Sequence, residues 1–170
     1  MTKSALPFEA PVLLAQRHDL TDFSSGEAVL DEWLRQRALA NLENGASRSY
    51  VVCRRREERV VGFYALAMGQ ILNQEVPGGM RRNMPMNIPA VILGRLAVDN
   101  TAQGLGLGGS LLQDAVSRSL RAAREVAARL MIVHAISPAA EAFYLHHGFT
   151  RIREDVPTLA LDLVKVKVAL

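Results

Sequence analysis

Cysteine occurs once in this 170-residue chain, at position 53. A single thiol excludes an internal disulfide and supplies none of the paired spacings from which zinc sites are built, so no metal is expected. Lysine is nearly as scarce: of 20 basic residues only Lys3, Lys165 and Lys167 are lysine, and the rest are arginine. Aromatic residues make up 5%, too few for a surface on which single-stranded bases stack in succession. No apolar run approaches the roughly 18 residues of a membrane span. The first residues lack the basic segment and apolar core of a secretion leader, so a cytoplasmic location is expected. No internal repeat, low-complexity stretch or linker is visible. What remains is an ordinary globular composition, 49% hydrophobic and 22% charged. A chain of this length fits one domain, residues 1–170, burying roughly 70% of its unfolded surface.

The most informative segment that is present is Gln103-Gly104-Leu105-Gly106-Leu107-Gly108. It lies between an apolar run, Val91 to Val98, and an amphipathic stretch that starts near Leu107. Glycine lets the backbone take positive φ and approach a ligand with no Cβ in the way. The free N–H groups of a first helical turn then face an anion, with a partial charge of about +0.5 behind them. Competing phosphate loops fit less well. A dinucleotide fingerprint would need Gly104, Gly106 and Gly109 at the end of a first strand, with an acid at the end of a second strand roughly 20 positions on. Glu125 has that spacing but falls within the same helical pattern. A Walker loop fails because no Gly-Lys-Ser/Thr follows.

Periodicity orders the rest of the chain. Pro11–Gln16 reads as a first strand, and Ser24-Ser25-Gly26 as the entrance to a helix. Val29, Leu30, Trp33, Leu34, Ala38 and Leu42 predict one helix from Glu27 to Asn44-Gly45. Ser49–Cys53 and Val60–Met68 predict paired strands around a charged turn at Arg54 to Glu58. Pro77–Pro89 reads as a loop, Val91–Val98 as a strand buried on both faces, and Leu107 to Val126 as a long helix. Leu130–Ile136 is a strand, Ser137-Pro138 starts a short helix that Gly148 stops, and Phe149–Arg153 and Thr158–Leu163 are final strands. The order predicts a mixed α/β domain.

Gln103, Gly106 and Gly108 form Q-x-x-G-x-G, which resembles the diagnostic motif of the GNAT acetyltransferases. The resemblance extends over essentially the whole chain. Asp22-Phe23 with Leu30-Asp31-Glu32-Trp33-Leu34, Gly45-Ala46-Ser47-Arg48-Ser49-Tyr50, Leu93-Gly94-Arg95-Leu96-Ala97-Val98-Asp99 and Phe143-Tyr144-Leu145-His146-His147-Gly148-Phe149 are similar to the GNAT toxins of bacterial toxin–antitoxin pairs. The resemblance implies a central, mostly antiparallel mixed sheet flanked by helices. It also implies a toxin that transfers acetyl from acetyl-CoA to the α-amino group of aminoacyl-tRNA and stops translation. A ribbon-helix-helix antitoxin, a homodimer, and DNA contact only through the antitoxin complex follow from the same likeness.

Acetyl transfer to an amine needs a held thioester, a neutral amine, a donor for the developing oxyanion, and a proton for the leaving thiolate. The resemblance assigns the pyrophosphate to Gln103, Gly104, Leu105, Gly106, Leu107 and Gly108, and the pantetheine arm to the backbone of Leu96, Ala97 and Val98. A well-placed N–H at that strand is worth roughly 3–4 kcal/mol. Tyr144 takes the general-acid position; a phenol near pKa ~10 is close to a thiol near ~8.5. The alternative for Tyr144 is a core residue beside Phe143 and Phe149. No general base stands out. His134 reads as a buried, hydrogen-bonded histidine, and His146 and His147 as helix-end residues. An α-amine, with a pKa of about 7.7–8.0, needs a base less than a lysine at ~10.4 does.

Arg81 and Arg82 are the leading candidates to grip the tRNA acceptor, with Arg48 and Arg95 behind them. Arg95 could equally pair with Asp99 or a loop carboxylate. Trp33 reads as a core or interface anchor. Two other functions compete: an N-acetyltransferase for small-molecule or protein amines, and a non-catalytic acyl-CoA-binding module. Between Gly69 and Pro89 the only acid is Glu75, whereas a site for cationic amines calls for several carboxylates.

Overall fold

A computed structural model of the chain describes residues 7–166. The elements follow in the order β1 (Val12–Leu13), α1 (Ala28–Gln36), α2 (Ala38–Glu43), β2 (Arg48–Cys53), β3 (Val60–Leu72), α3 (Gly78–Arg81) and β4 (Asn87–Val98). They continue with α4 (Leu107–Glu125), β5 (Leu130–His134), α5 (Pro138–His146), β6 (Thr150–Arg153) and β7 (Thr158–Asp162). The seven strands form one sheet in the order β1-β2-β3-β4-β5-β7-β6. Pairing is antiparallel at β1–β2, β5–β7 and β6–β7 and parallel at β4–β5. The chain divides into two compact units, Met1–Ala65 with Arg95–Asp114 and Leu66–Gly94 with Ala115–Leu170. Both β3 and β4 run through the two units, as does α4. Among the described residues no helix is long and apolar enough to cross a membrane.

The first unit has its core where α1 and α2 meet β2 and β3: Leu30, Leu34, Ala38, Val51, Val60 and Phe63 are all buried. The single helix expected from periodicity is two, broken at Arg37, whose φ of −123° departs from helical geometry. On a straight helix, positions four apart drift by about 40° per step. The break resets that drift and keeps Ala38 in the same core as Leu30 and Leu34. The entrance to α1 is held by Asp31, which accepts Ser25 Oγ at 2.6 Å and the Ser25 amide at 3.1 Å. The strand expected over Pro11–Gln16 is reduced to Val12–Leu13. The turn at Arg54 to Glu58 is as expected, with Arg56 at a φ of +64°.

The second unit is built on β5, whose Leu130 to Val133 are buried, between β4 and β7. Ile71, Val76, Ile88, Ala90, Leu130, Ile132 and Ala160 form its core, with Met80 and Met84 packed against them. The stretch expected to be a loop before Val91 is more ordered: it holds the short helix α3, and β4 already begins at Asn87. Toward the other end, β3 extends to Leu72 rather than Met68. One buried ion pair ties β7 to the turn before β5. Arg129 donates to both oxygens of Asp162, Nε to Oδ1 at 2.8 Å and Nη2 to Oδ2 at 3.0 Å. Burial would raise the Asp162 pKa, but the bonds and charge of Arg129 outweigh it and hold the carboxyl below its usual range.

Removing one partner of a fully buried pair costs about 3–5 kcal/mol; here Lys165 at 4.0 Å and the Val164 amide stay on Asp162, so a loss of about 1–3 kcal/mol is expected. Arg129→Met is therefore expected to lower the unfolding free energy by that order at neutral pH. The difference from wild type should shrink as pH falls through the native Asp162 pKa, below the ordinary aspartate value, where the pair's contribution is lost. Denaturant titrations of both proteins from pH 7 down to about pH 2 measure this, and a loss that does not change with pH would contradict it.

Candidate active site

The Gln103 to Gly108 segment is the turn between β4 and α4. A 3₁₀ turn over Asn100–Ala102 leads into it. Asp99 starts that turn, accepting the amides of Ser24 and Thr101 at 2.9 Å and the Thr101 hydroxyl at 2.7 Å. Burial would raise the Asp99 pKa, yet these hydrogen bonds prevail and hold it low. Gln103 then closes the turn. Its side-chain amide donates to Val98 O at 2.9 Å, Ser25 O at 3.0 Å and Asn100 Oδ1 at 3.2 Å. The Gln103 side chain is thus occupied in holding the loop, and only its backbone is left for the pyrophosphate role.

Gly104 and Gly106 follow with φ of +78° and +80°, a region that side-chain-bearing residues rarely adopt. A Cβ placed on either would meet no heavy atom within 4 Å, so their backbone borders open space. Leu105 between them is exposed, whereas Leu107 is buried and anchors the first turn of α4. The leading N–H groups of α4, from Leu107 through Gly108, have no partner within the helix.

The seating of α4 explains how these groups stay in place. Gly62 on β3 faces it: a Cβ there would come within 3.0 Å of a Leu111 methyl and 3.3 Å of Leu107. The missing side chain lets the helix lie flush on the strand. Tyr64, also on β3 and fully buried, donates its hydroxyl to Asp114 on α4, and Tyr50 stacks on it at 5.2 Å. Neither Tyr64 nor Asp114 stands out in the sequence, where strand alternation is the only signal.

Leu96, Ala97 and Val98 end β4. The ladder to β5 stops at Leu93 paired with Val133, and β4 continues past it. Ala97 is buried, while Leu96 and Val98 are half-buried. Two residues before Ala97, the Arg95 guanidinium lies over the Trp33 ring, 4.0 Å from its centroid. Pairing of Arg95 with Asp99 does not occur; Asp99 is taken by Ser24 and Thr101.

In the second unit Tyr144 sits on α5. That helix is capped by Ser137, whose hydroxyl accepts the Ala140 amide at 3.1 Å, with Pro138 in its first turn. The Tyr144 ring is buried edge-on between Phe143 at 5.2 Å and Phe149 at 5.5 Å. Burial pushes its phenol up to about 12. It is a weaker acid than an exposed tyrosine and fully protonated at neutral pH. His134 is exposed at the end of β5 rather than buried; its Nδ1 lies 3.0 Å from the Thr158 hydroxyl. His146 and His147 are exposed at the end of α5.

Arg81 and Arg82 end α3, both exposed. Glu75, the acid of that segment, is bonded to Arg153 at 3.2 Å. Arg48 is exposed at the start of β2, in the first unit with Arg95. Among the described residues no cluster of three or more His, Cys, Asp or Glu could hold a metal ion.

Comparison with known proteins gives the family of the chain. A family profile described as an acetyltransferase (GNAT) domain matches residues 46–151. The chain is 49% identical over 157 residues to the tRNA-acetylating toxin of Mycobacterium tuberculosis, covering 92% of this chain and 91% of that protein. Among solved structures it superposes on a tyrosine-to-phenylalanine variant of KacT with a TM-score of 0.88, at 26% identity over 93% of this chain and 96% of the other. AtaT complexed with acetyl-methionyl-tRNAfMet gives a TM-score of 0.85 at 28% identity, over 91% and 94% of the two chains. AtaT has also been solved with its antitoxin AtaR, in complexes with acetyl-CoA and with DNA. The loop, the strand end and the profile match agree: the chain belongs to the GNAT acetyltransferase family.

Proposed function

We propose that this protein is the toxin of a type II toxin–antitoxin pair, acetylating the α-amino group of aminoacyl-tRNA from acetyl-CoA and so blocking translation. The observation that carries the reading is the likeness to a tRNA-acetylating toxin over nearly the whole chain. The charge pattern supports it. Arg81 and Arg82 lie on a segment whose one acid is neutralised by Arg153, leaving a basic surface suited to RNA phosphates. The same pattern disfavours a polyamine or amino-sugar acceptor, which is cationic. The family profile spans residues of both units, which supports their acting as one catalytic domain. A ribbon-helix-helix antitoxin, a homodimer, DNA contact through the antitoxin and a cytoplasmic location belong to the same proposal.

The residues present fit the cofactor. Open backbone at Gly104 and Gly106, with the free N–H groups of Leu107 and Gly108, suits a pyrophosphate. The backbone of Leu96 to Val98, past the β5 ladder, suits an extended arm that pairs as a strand would. Acetyl-CoA, when bound, supplies an acetyl group activated as a thioester. Gln103 keeps the loop open by bonding the carbonyls of Val98 and Ser25. Tyr144 holds a proton on its hydroxyl at neutral pH. At a pKa of about 12 it releases that proton less readily than an exposed phenol; positioned acid catalysis is typically worth ~10²–10⁴-fold. Arg81, Arg82, Arg48 and Arg95 orient the RNA.

Gly106→Ala adds one methyl at a disfavoured φ, a cost of about 1–2 kcal/mol, and is expected to weaken acetyl-CoA binding on the order of tenfold. Gly106→Glu should abolish binding by adding negative charge where the pyrophosphate sits. Calorimetric titration with acetyl-CoA reads both, and undiminished affinity in the glutamate variant removes the proposed loop site.

Radiolabelled acetyl-CoA offered with charged tRNA, deacylated tRNA and spermidine tests the acceptor. Label is expected on charged tRNA alone, slowed at least tenfold by Tyr144→Phe with acetyl-CoA affinity retained. Label on spermidine instead would make the protein a small-molecule acetyltransferase. Full turnover in Tyr144→Phe would leave that ring a core residue only.

A further inference from the structure

Trp33 and Arg95 are arranged as a unit that the fold itself does not explain. The indole is half-buried and stacks on Phe63 at 6.2 Å, with 14° between the planes. Phe63 is fully buried and held edge-on by Phe23 at 5.6 Å. The ring is therefore fixed from behind, and the Arg95 guanidinium lies on its open face at 4.0 Å. Among the described residues the Arg95 guanidinium makes no hydrogen bond and no ion pair. Burial alone perturbs its ionisation, with no carboxylate acting on it.

A half-buried guanidinium without a counter-charge is costly, and folds ordinarily answer it with a carboxylate. The indole offsets part of that cost through its π-face but satisfies none of the five N–H donors. Those donors form a rigid fork that matches two oxygens of a phosphate. The stack fixes the plane of that fork before any ligand arrives. Arg95 also immediately precedes Leu96 on β4, at a rise of about 3.3 Å per residue. An anion gripped here lies beside the strand end assigned to the acetyl-bearing arm.

We propose that Arg95, with its plane set by Trp33, binds a backbone phosphate at the acceptor end of the RNA and thereby selects phosphate-bearing acceptors over free amines. This rests on the aminoacyl-tRNA reading above. Trp33 is then a positioning residue acting through Arg95, beyond the core or interface anchor suggested by the sequence. A cationic amine gains nothing from the site and is repelled by it.

The test compares charged tRNA with an aminoacyl-adenosine carrying no phosphate, under saturating acetyl-CoA. Arg95→Lys keeps the charge and loses the fork; Trp33→Leu removes the platform; Trp33→Phe keeps a ring face. Arg95→Lys and Trp33→Leu are expected to raise KM for charged tRNA about tenfold, at least five times more than for the aminoacyl-adenosine, with kcat for charged tRNA within about twofold of wild type. Trp33→Phe should recover most of the affinity. Equal KM changes on the two acceptors, in Arg95→Lys alone if Trp33→Leu does not fold, would overturn the proposal while leaving the toxin reading intact. So would a Trp33→Phe as impaired as a folded Trp33→Leu. A wild-type protein that acetylates aminoacyl-adenosine but never charged tRNA would overturn both.

Discussion

The site depends on the side-chain amide of Gln103. By donating to the carbonyls of Val98 and Ser25, it fixes the end of β4, the approach to α1 and the start of the glycine turn to one another. Everything attributed to the loop needs that turn held open. Gly104 and Gly106 can take positive φ at little cost, but freedom is not a conformation. The amide, the Asp99 carboxylate with its three bonds and the flush seating of α4 on Gly62 select one arrangement from those that glycine allows. An anion site made of backbone N–H groups is only as good as the rigidity of its backbone, because donors that must reorganise on binding lose much of their advantage.

The chain relies on arginine almost alone for positive charge, and it treats its arginines in two ways. Some are consumed: Arg129 by Asp162, Arg153 by Glu75 and Asp155, Arg151 by Glu141. Arg95 instead leans on an aromatic ring with no acid partner, and Arg81 and Arg82 sit exposed where the nearby acid is already engaged. Arginines with an acid partner and those without one are thus told apart by the structure, which composition alone could not do. The contrast makes Arg95 informative, since burial raises the cost of leaving a cation unpaired.

Much of this was legible in the sequence where the determinants are local. The strand, glycine turn and amphipathic helix around Gly106 follow from periodicity and from the conformations glycine permits. Ser137-Pro138 marks the start of α5 through its cap, and Gly148 its end through positive φ. What the sequence hid is tertiary. Nothing near Arg37 is a helix breaker, and the break there answers the core that Ala38 must reach. Asn87 and Pro89 disguise the start of β4, which neighbouring strands impose. That the Gln103 side chain holds the loop is seen only from its partners Ser25 and Val98. Tyr144 has the right residue type for an acid, but the packing of Phe143 and Phe149 sets how weak an acid it is. Trp33 and Arg95 are far apart in the chain, and no spacing rule joins them.

The central claim is that acetyl lands on the α-amine of the aminoacyl group. The direct measurement is mass spectrometry after reaction of charged tRNA with acetyl-CoA, followed by mild alkaline hydrolysis of the aminoacyl ester. The account predicts that the released amino acid carries the acetyl group and that the recovered tRNA has an unmodified mass. Acetyl retained on the RNA, or an unmodified amino acid from a reaction that consumed acetyl-CoA, would contradict it.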